Sequence, residues 1–305
     1  MSRRGWLLFG AMCVIWGVPY LLIKVAVHDL SPAMLVLART ALGALLLLPI
    51  AAGRRELRPV LRRWRPLLAF ATIEIAVPWI LLGTAEKRVS SSLTGLLIAA
   101  VPLVGAVIAR VTGGRERLGV QSGLGLLVGV LGVVSIVGLN LEGASVAPLS
   151  EIASVAVCYA VGPVILQRWL ADLPPLGVVG AALGITAVAY VPITVWTGAG
   201  RMPSATAIGA VVALAVVCTA VAFLVFFALI AEIGPVRATV ITYVNPAVAA
   251  VLGVAVLGER FTAGMGVGFA LVLAGSLLAT RPSATPLGPP TPALDSACES
   301  GRASG

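Results

Sequence analysis

The sequence carries very little charge. Charged residues make up 11% of the 305 positions, against roughly 25% in an average soluble domain. Hydrophobic residues make up 59%, glycine adds 34 positions, and the mean hydropathy is +1.07. A water-facing surface cannot be built from this composition, which excludes a soluble globule, a disordered chain and a nucleic-acid-binding domain. It predicts a protein that is surrounded mostly by lipid.

Histidine, aspartate and cysteine are scarce as well. The single histidine and the three aspartates supply neither a metal site nor a nucleophile with its base, so neither an enzyme nor a cofactor is predicted. The four cysteines contain no Cys-x-x-Cys pair, and we interpret them as three small buried hydrophobic residues and one thiol in the tail. No Gly-x-x-x-x-Gly-Lys motif is present, which excludes ATP-driven pumping by this chain.

Ten apolar stretches are each long enough to cross a bilayer core, which takes about 20 helical residues. They are 6–27, 32–52, 66–84, 92–112, 118–139, 147–170, 175–197, 206–231, 235–257 and 263–280. The connections between them are short and hold no inserted soluble domain. The sequence therefore predicts an all-α integral membrane protein with ten transmembrane helices. The segment 282–305 is rich in Pro, Ser, Ala and Gly and is predicted to be a disordered cytoplasmic tail.

The basic residues predict the orientation in the membrane. Nineteen of the 21 basic residues are arginines, and six of them lie between positions 54 and 65. If the N-terminus is cytoplasmic, fifteen basic residues fall on the inner side, five fall on the outer side, and Arg39 lies within a span. This bias predicts a multi-pass protein of the cell membrane with both termini in the cytoplasm. The arginine run is not interpreted as a nucleic-acid site, because no folded domain carries it.

An internal repeat is visible at an offset of 143 residues. Glu116-Arg117-Leu118, followed by Gly125 and Gly132, recurs as Glu259-Arg260-Phe261, followed by Gly268 and Gly275. The same shift places Asp29 on Asp172 and Trp16 on Tyr159. We predict two five-span repeats, residues 1–140 and 141–281. A second copy that follows an odd number of crossings is inverted, and inverted repeats are typical of secondary transporters that bind substrate at the repeat interface.

These motifs resemble the EamA-like family of the drug/metabolite transporter superfamily. The resemblance is carried by Trp16-Gly17, by the spans with Pro102 and Pro246, and by Leu257-Gly258-Glu259-Arg260-Phe261. Gly234-Pro235 and Tyr243-Val244-Asn245-Pro246 add to it. The resemblance implies a central cavity lined by spans 1–4 and 6–9, with spans 5 and 10 at the periphery. The first repeat departs from the pattern at Gly114-Arg115-Glu116-Arg117, where a Leu-Gly-Glu-Arg run is common.

Two charged residues, Arg39 and Glu74, lie well inside the predicted spans. Intramembrane charges usually face the interior of a bundle and mark a substrate or proton path. The sequence leaves two interpretations open for this pair. Glu74 binds and releases a proton during transport, or Arg39 and Glu74 form an ion pair that fixes two helices.

Several uncharged residues complete the predicted substrate site. We expect the two repeats to place Trp16 and Tyr159 opposite each other across the centre, with packing against lipid or protein as the alternative. The other predicted substrate-binding residues are Trp79, Tyr243 and Asn245. Pro102 and Pro246 each remove a backbone donor and are predicted to kink their spans. The glycines spaced seven apart predict close packing of one span on another, with a dimer interface as the alternative.

These observations predict a secondary transporter that exports small polar or amphipathic metabolites, such as amino acids or related compounds. Proton coupling is a further hypothesis that rests on Glu74. A lipid flippase or an accessory membrane subunit is the alternative, and an intramembrane enzyme is disfavoured. The expected partners are a small-molecule substrate and the lipid bilayer, with no nucleic acid, in a monomer or a homodimer.

Overall fold

The computed structural model describes residues 1–111, 120–138, 146–198, 200–238 and 240–280. The protein is an all-α membrane protein. Within the described ranges, nine helices are long and apolar enough to cross a membrane. A tenth apolar helix, Ile241–Leu257, is shorter. Spans 1 to 10 are Arg3–Ala26, Pro32–Gly53, Trp64–Glu86, Ser91–Ile108, Gln121–Gly138, Val146–Leu170, Pro175–Thr197, Ala205–Ile233, Ile241–Leu257 and Ala263–Thr280. The predicted all-α architecture is thus confirmed.

Two of the described spans are interrupted, and the bounds of others differ from the prediction. Span 1 consists of Arg3–Ile15 and Pro19–Ala26. Span 4 ends at Ile98 and restarts as Val101–Val111, because Pro102 has no N–H to donate to the carbonyl of residue 98. The start predicted for span 9, residue 235, belongs instead to a separate turn, Pro235–Ala238. The helix Ile241–Leu257 continues through Pro246. The short helix Leu57–Arg62 was not predicted.

Three wide, π-helical turns are present in the described ranges. They are Ala71–Ala76 in span 3, Leu166–Leu170 in span 6 and Val216–Val221 in span 8. The first precedes Pro78, which cannot donate to the carbonyl of Glu74 four residues earlier. Such turns occur frequently at functional sites, and two of these three lie in spans that correspond under the 143-residue shift.

Spans 5 and 10 pack against each other through glycine. A Cβ added to Gly132 would lie 2.6 Å from the backbone nitrogen of Val272, and one added to Gly275 would overlap the backbone nitrogen of Gly129. The two backbones therefore touch, and the order of the contacts shows that the helices are antiparallel. The prediction of close span-to-span packing is confirmed.

Spans 2 and 7 form a second antiparallel pair. The hydroxyl of Ser31, before span 2, donates to the carbonyl of Gly198, after span 7 (2.8 Å). At the far end of span 2, Glu56 accepts from the backbone N–H of Gly177 near the start of span 7 (3.0 Å). These contacts define two ends of the bundle, which we name after an aspartate at each. The connections between spans 1–2, 3–4, 7–8 and 9–10 lie at the Asp29 end. The connections between spans 2–3 and 6–7 lie at the Asp172 end.

Two of the predictions concern residues outside the described ranges. The Glu116-Arg117-Leu118 motif and the predicted tail at 282–305 both fall there. The division into repeats at residue 140 stays a prediction.

Candidate functional site

Arg39 is buried in the middle of span 2, with 7% of its surface exposed. Its guanidinium carbon lies 3.6 Å from the centre of the Trp79 ring of span 3. Its Nε–H donates to the hydroxyl of Thr219 in span 8 (3.0 Å). A cation stacked on an indole is stabilised electrostatically by the face of the ring. Span 2 thus holds a positive charge between spans 3 and 8.

Thr219 accepts this hydrogen bond because its own hydroxyl hydrogen is used elsewhere. The hydroxyl donates to the carbonyl of Leu214, five residues earlier (2.8 Å). That carbonyl lies just before the wide turn of span 8, where the regular i to i−4 bonding is replaced. The wide turn therefore orients the Thr219 oxygen toward Arg39.

Glu74 lies in the wide turn of span 3 and packs against span 6 at Gly162. A Cβ added to Gly162 would overlap the Glu74 Oε2 atom, so only glycine leaves room for the carboxyl group. Oε2 is buried and has no hydrogen-bond partner among the described residues. Within the described parts of the chain, no ion pair joins Glu74 to Arg39. The two side chains therefore contact different neighbours in this structure, and both interpretations of the pair stay predictions.

Tyr159 of span 6 lies between these two groups. Its phenol is close enough to interact electrostatically with both Glu74 and Arg39, and the side chain of Trp79 is beside it. Tyr20 of span 1 interacts in turn with Tyr159 and Arg39. We call this set the central cluster. It consists of Tyr20, Arg39, Glu74, Trp79, Tyr159 and Thr219.

Tyr20 and Thr219 were not predicted from the sequence. A hydroxyl group in an apolar span gives a weak signal, because most such groups bond to their own backbone. The partnership with Arg39 depends on which spans are neighbours, and the sequence alone does not supply that information.

The ring of Trp16 packs against span 8. Its ring lies 4.7 Å from the ring of Phe226 and 6.1 Å from that of Phe223, both in span 8. Phe223 also packs against the core cluster that contains Trp79. Trp16 of span 1 therefore packs against a row of aromatic side chains on span 8. Its predicted position opposite Tyr159 stays a prediction.

Asn245 joins spans 9 and 1. With its amide oriented to match its neighbours, the nitrogen donates to the carbonyls of Ile241 (2.9 Å) and Cys13 (3.1 Å). The Cys13 carbonyl is available because the Gly17 N–H donates to Val14 where span 1 breaks. Asn245 thus has a structural contact in addition to its predicted role in binding. Tyr243, two residues earlier, is half-buried.

Gly17 accounts for the glycine of the Trp16-Gly17 motif. A Cβ at this position would lie 2.5 Å from the side chain of Val248 in span 9 and 3.0 Å from the backbone oxygen of Asn245. Spans 1 and 9 can approach this closely only because residue 17 has no side chain.

Comparisons with known proteins give a family, two relatives and a shared fold. The model of the EamA-like transporter family matches residues 3–138 and 150–281. The uncharacterized inner membrane transporter YedA of Escherichia coli strain K12 is 29% identical over 267 residues, which is 84% of this chain and 84% of YedA. YedA of Escherichia coli O157:H7 matches to the same extent. A solved structure titled "Crystal structure of protein" has a TM-score of 0.66 at 21% identity, covers 92% of this chain and is itself 97% covered, which shows a shared fold.

Proposed function

We propose, from the premise that this chain belongs to the EamA-like transporter family, that it exports small polar or amphipathic metabolites by secondary transport. That the protein is a membrane transporter follows from the family and from its relative YedA. The substrate class, the direction and the coupling ion are our proposal. We place the protein in the cell membrane with both termini in the cytoplasm.

The observation that carries the proposal is the separation of Arg39 from Glu74. An unpaired charge inside a membrane protein is costly and is retained where it has a function. Arg39 has five N–H donors, and the described residues use one of them. A substrate with an acidic group would pair with Arg39, and its basic group would pair with the Glu74 carboxylate.

This pairing favours zwitterions such as amino acids. Trp79, Tyr159 and Tyr20 surround the two charges with flat apolar surfaces that carry polar tips. A substrate with an apolar side chain between or beside its charges would contact these rings. Binding would neutralise both charges at once and would lower the cost of moving the occupied site through the closed state.

Proton coupling is proposed at the same site. When no substrate is present, Glu74 has no cation to balance its charge in the described structure. A proton would then replace the basic group of the substrate as the counter-charge. An exporter that releases substrate on one side and takes up a proton there would exchange the two across the membrane.

A monomer is the proposed working unit. The glycine faces that could have formed a dimer interface are occupied by the contact between spans 5 and 10 of the same chain. No nucleic-acid partner and no catalytic role are proposed.

The proposal is tested with the purified full chain in proteoliposomes. The liposomes are loaded with a mixture of unlabelled amino acids, and the entry of each labelled amino acid is followed as counterflow. We expect counterflow of some amino acids above that of protein-free liposomes. We expect the double variant Arg39→Gln, Glu74→Gln to lose it and Arg201→Gln, at an exposed position outside the spans, to retain it.

The alternatives give different results in the same liposomes. Transfer of a fluorescent phospholipid between leaflets, without amino acid counterflow, would contradict the proposal and identify a flippase. The absence of both activities in folded protein would indicate an accessory subunit.

A further inference from the structure

Glu259 is bound by four donors from the start of span 4. It lies in the connection between spans 9 and 10. Its Oε1 accepts from the backbone N–H (2.7 Å) and the hydroxyl (3.0 Å) of Ser91. Its Oε2 accepts from the backbone N–H (2.8 Å) and the hydroxyl (2.6 Å) of Ser92. Hydrogen bonds to a carboxylate are about twice as strong as neutral ones, and the N-terminus of a helix favours a negative charge.

The neighbouring helices are shaped to permit this contact. A Cβ at Gly253 in span 9 would overlap both the Ser92 hydroxyl and Glu259 Oε2. A Cβ at Gly95 in span 4 would lie 2.6 Å from that of Ala249. Spans 4 and 9 therefore touch at the Asp29 end, and the carboxylate of Glu259 fixes the contact.

A second charged contact lies beside the first. The ammonium group of Lys24 in span 1 donates to the carbonyls of Glu86 (2.6 Å) and Val89 (2.8 Å) at the end of span 3. The side chain of Glu86 is fully buried, and neither carboxyl oxygen has a hydrogen-bond partner among the described residues. Spans 1, 3, 4 and 9 are thus joined at one end by partly buried polar contacts.

A cavity of about 410 Å³ lies on the outside of this contact. Lys24 and Glu259 form part of its wall, together with His28, Asp29, Ser204 and Thr206. The joined residues therefore separate this cavity from the central cluster, which lies deeper in the bundle.

The opposite end of the bundle cannot form the same contact. The 143-residue shift places Ser91 on Gly234 and Ser92 on Pro235. Proline has no N–H, neither residue has a hydroxyl, and the Gly234 N–H already donates to Ile230 (2.9 Å). The same shift replaces Lys24 by Gln167 and Glu86 by Leu229. The four donors of Ser91 and Ser92 therefore have no counterpart at residues 234 and 235.

We infer that Glu259 is a one-sided latch, which holds the bundle closed at the Asp29 end and makes the resting transporter open preferentially at the Asp172 end. The inference rests on the proposed transport function, since a latch matters only if the two ends open in turn. In the predicted orientation the latched end faces outward. The empty transporter then presents its central cluster to the cytoplasm, which is where an exporter loads its substrate.

The test compares Glu259→Gln with Glu116→Gln in the full chain in lipid nanodiscs. The substitution at position 259 keeps one acceptor oxygen but places an NH2 group against the donors of span 4. Hydrogen–deuterium exchange, read by mass spectrometry, reports the backbone amides of residues 91–97. We expect Glu259→Gln to speed this exchange by about tenfold, the effect of losing one charged hydrogen bond. We expect Glu116→Gln, the matched control in the other repeat, to leave it unchanged.

Two results would overturn the latch: unchanged exchange in Glu259→Gln, or equal acceleration in both variants. If Glu259→Gln does not fold, the double variant Ser91→Ala, Ser92→Ala removes two of the four donors and should show a smaller acceleration in the same segment. Exchange does not depend on transport. Accelerated exchange in a protein that moves no substrate would therefore leave the latch standing while contradicting the proposed function.

Discussion

Asp29 and Asp172 bind the loop of the other repeat at opposite ends of span 2. Asp29 accepts from the backbone N–H (2.9 Å) and the hydroxyl (2.6 Å) of Ser204, in the connection between spans 7 and 8. Asp172 accepts two hydrogen bonds from Arg63, in the connection between spans 2 and 3 (2.7 Å each). The 143-residue shift converts one aspartate into the other. An inverted repeat would place equivalent residues at opposite ends in this way, which supports the proposed repeat.

The orientation is the first prediction. We expect a cysteine introduced at Arg201 to react with a membrane-impermeant thiol reagent in intact cells, and a cysteine introduced at Arg58 to react only after the cells are opened. The reason is the excess of basic residues on the side that carries 54–65. Labelling is read by a mass shift on a gel, with all four natural cysteines replaced by alanine. The reverse pattern would place both termini outside.

The role of Glu74 gives the second prediction. Glu74→Gln replaces the carboxyl group by a neutral group of the same shape, which mimics the protonated state. We expect transport driven by a pH gradient to be abolished. We expect exchange of substrate for substrate to persist at a higher half-saturating concentration, because the neutral amide no longer pairs with the basic group of the substrate. Both are measured as flux into proteoliposomes with and without an imposed gradient. Full pH-driven transport in this variant would end the proton-carrier hypothesis.

The third prediction concerns the recognition of an acidic group. Arg39→Lys keeps the charge but loses the planar stacking on Trp79 and the fixed fork of donors. We expect the half-saturating substrate concentration to rise by about tenfold, the effect of one lost charge-assisted hydrogen bond. Thr219→Val removes the acceptor of the Arg39 Nε–H and the bond to the Leu214 carbonyl but leaves the guanidinium on Trp79, and it should have a smaller effect. An unchanged half-saturation in Arg39→Lys would assign Arg39 to packing.

Two glycines of span 5 provide a matched test of helix packing. Gly132→Ala would press a methyl group against the backbone of span 10, whereas nothing lies within 4 Å of a Cβ at Gly123. We expect Gly132→Ala to destabilise the protein by about 1–3 kcal/mol through overpacking, and Gly123→Ala to leave stability unchanged or raise it slightly. Thermal unfolding in detergent measures both. Equal stabilities of the two variants would mean that spans 5 and 10 do not touch at Gly132.

Asp29 gives a prediction on acid stability. Hydrogen bonds from the hydroxyl and the backbone N–H of Ser204, and then from His28, lower the pKa of Asp29 below its usual value. An acid whose pKa is lowered in the folded state stabilises that state fully at pH values above its unfolded pKa, about 3.9. This stabilisation is lost as the pH falls through the folded pKa. We therefore expect Asp29→Asn to be less stable than the wild type at pH 7, and the difference to shrink below about pH 4. Ser204→Ala, which keeps the backbone donor, should show a smaller loss. If Asp29→Asn stayed less stable than the wild type in strong acid, the loss would not come from the ionised carboxylate of Asp29.

The span positions could be predicted because each apolar stretch is bounded by charge, proline or glycine. The helix bounds differ from the prediction by a few residues, as at Trp64 and Glu86 in span 3. The partners within the bundle could not be predicted. Glu86 lies outside the predicted span 66–84, yet its side chain is fully buried. Lys24, 62 residues away, donates to the backbone carbonyl of Glu86, and no local pattern in the sequence reports that contact.

For the site residues, too, the positions could be predicted from the sequence and the partners could not. Arg39 and Glu74 stood out because charge in an apolar span is rare. Whether they pair was left open, since the answer depends on the rotation of spans 2 and 3 about their axes. Asn245 was predicted without its partner, because the free carbonyl of Cys13 arises from the break in span 1.

The wide turn of span 3 determines which side chains can share the central cluster. In a regular α-helix, residues five apart point in directions that differ by about 140°, so Glu74 and Trp79 would lie on different faces of span 3. A π turn brings residues i and i+5 into line, and the wide turn Ala71–Ala76 lies in this stretch. Glu74 and the ring that carries Arg39 can therefore lie on the same side of span 3, because this turn holds one residue more than a regular helix needs. Removing one residue from this turn would leave the composition of the span almost unchanged and rotate the acid away from its site.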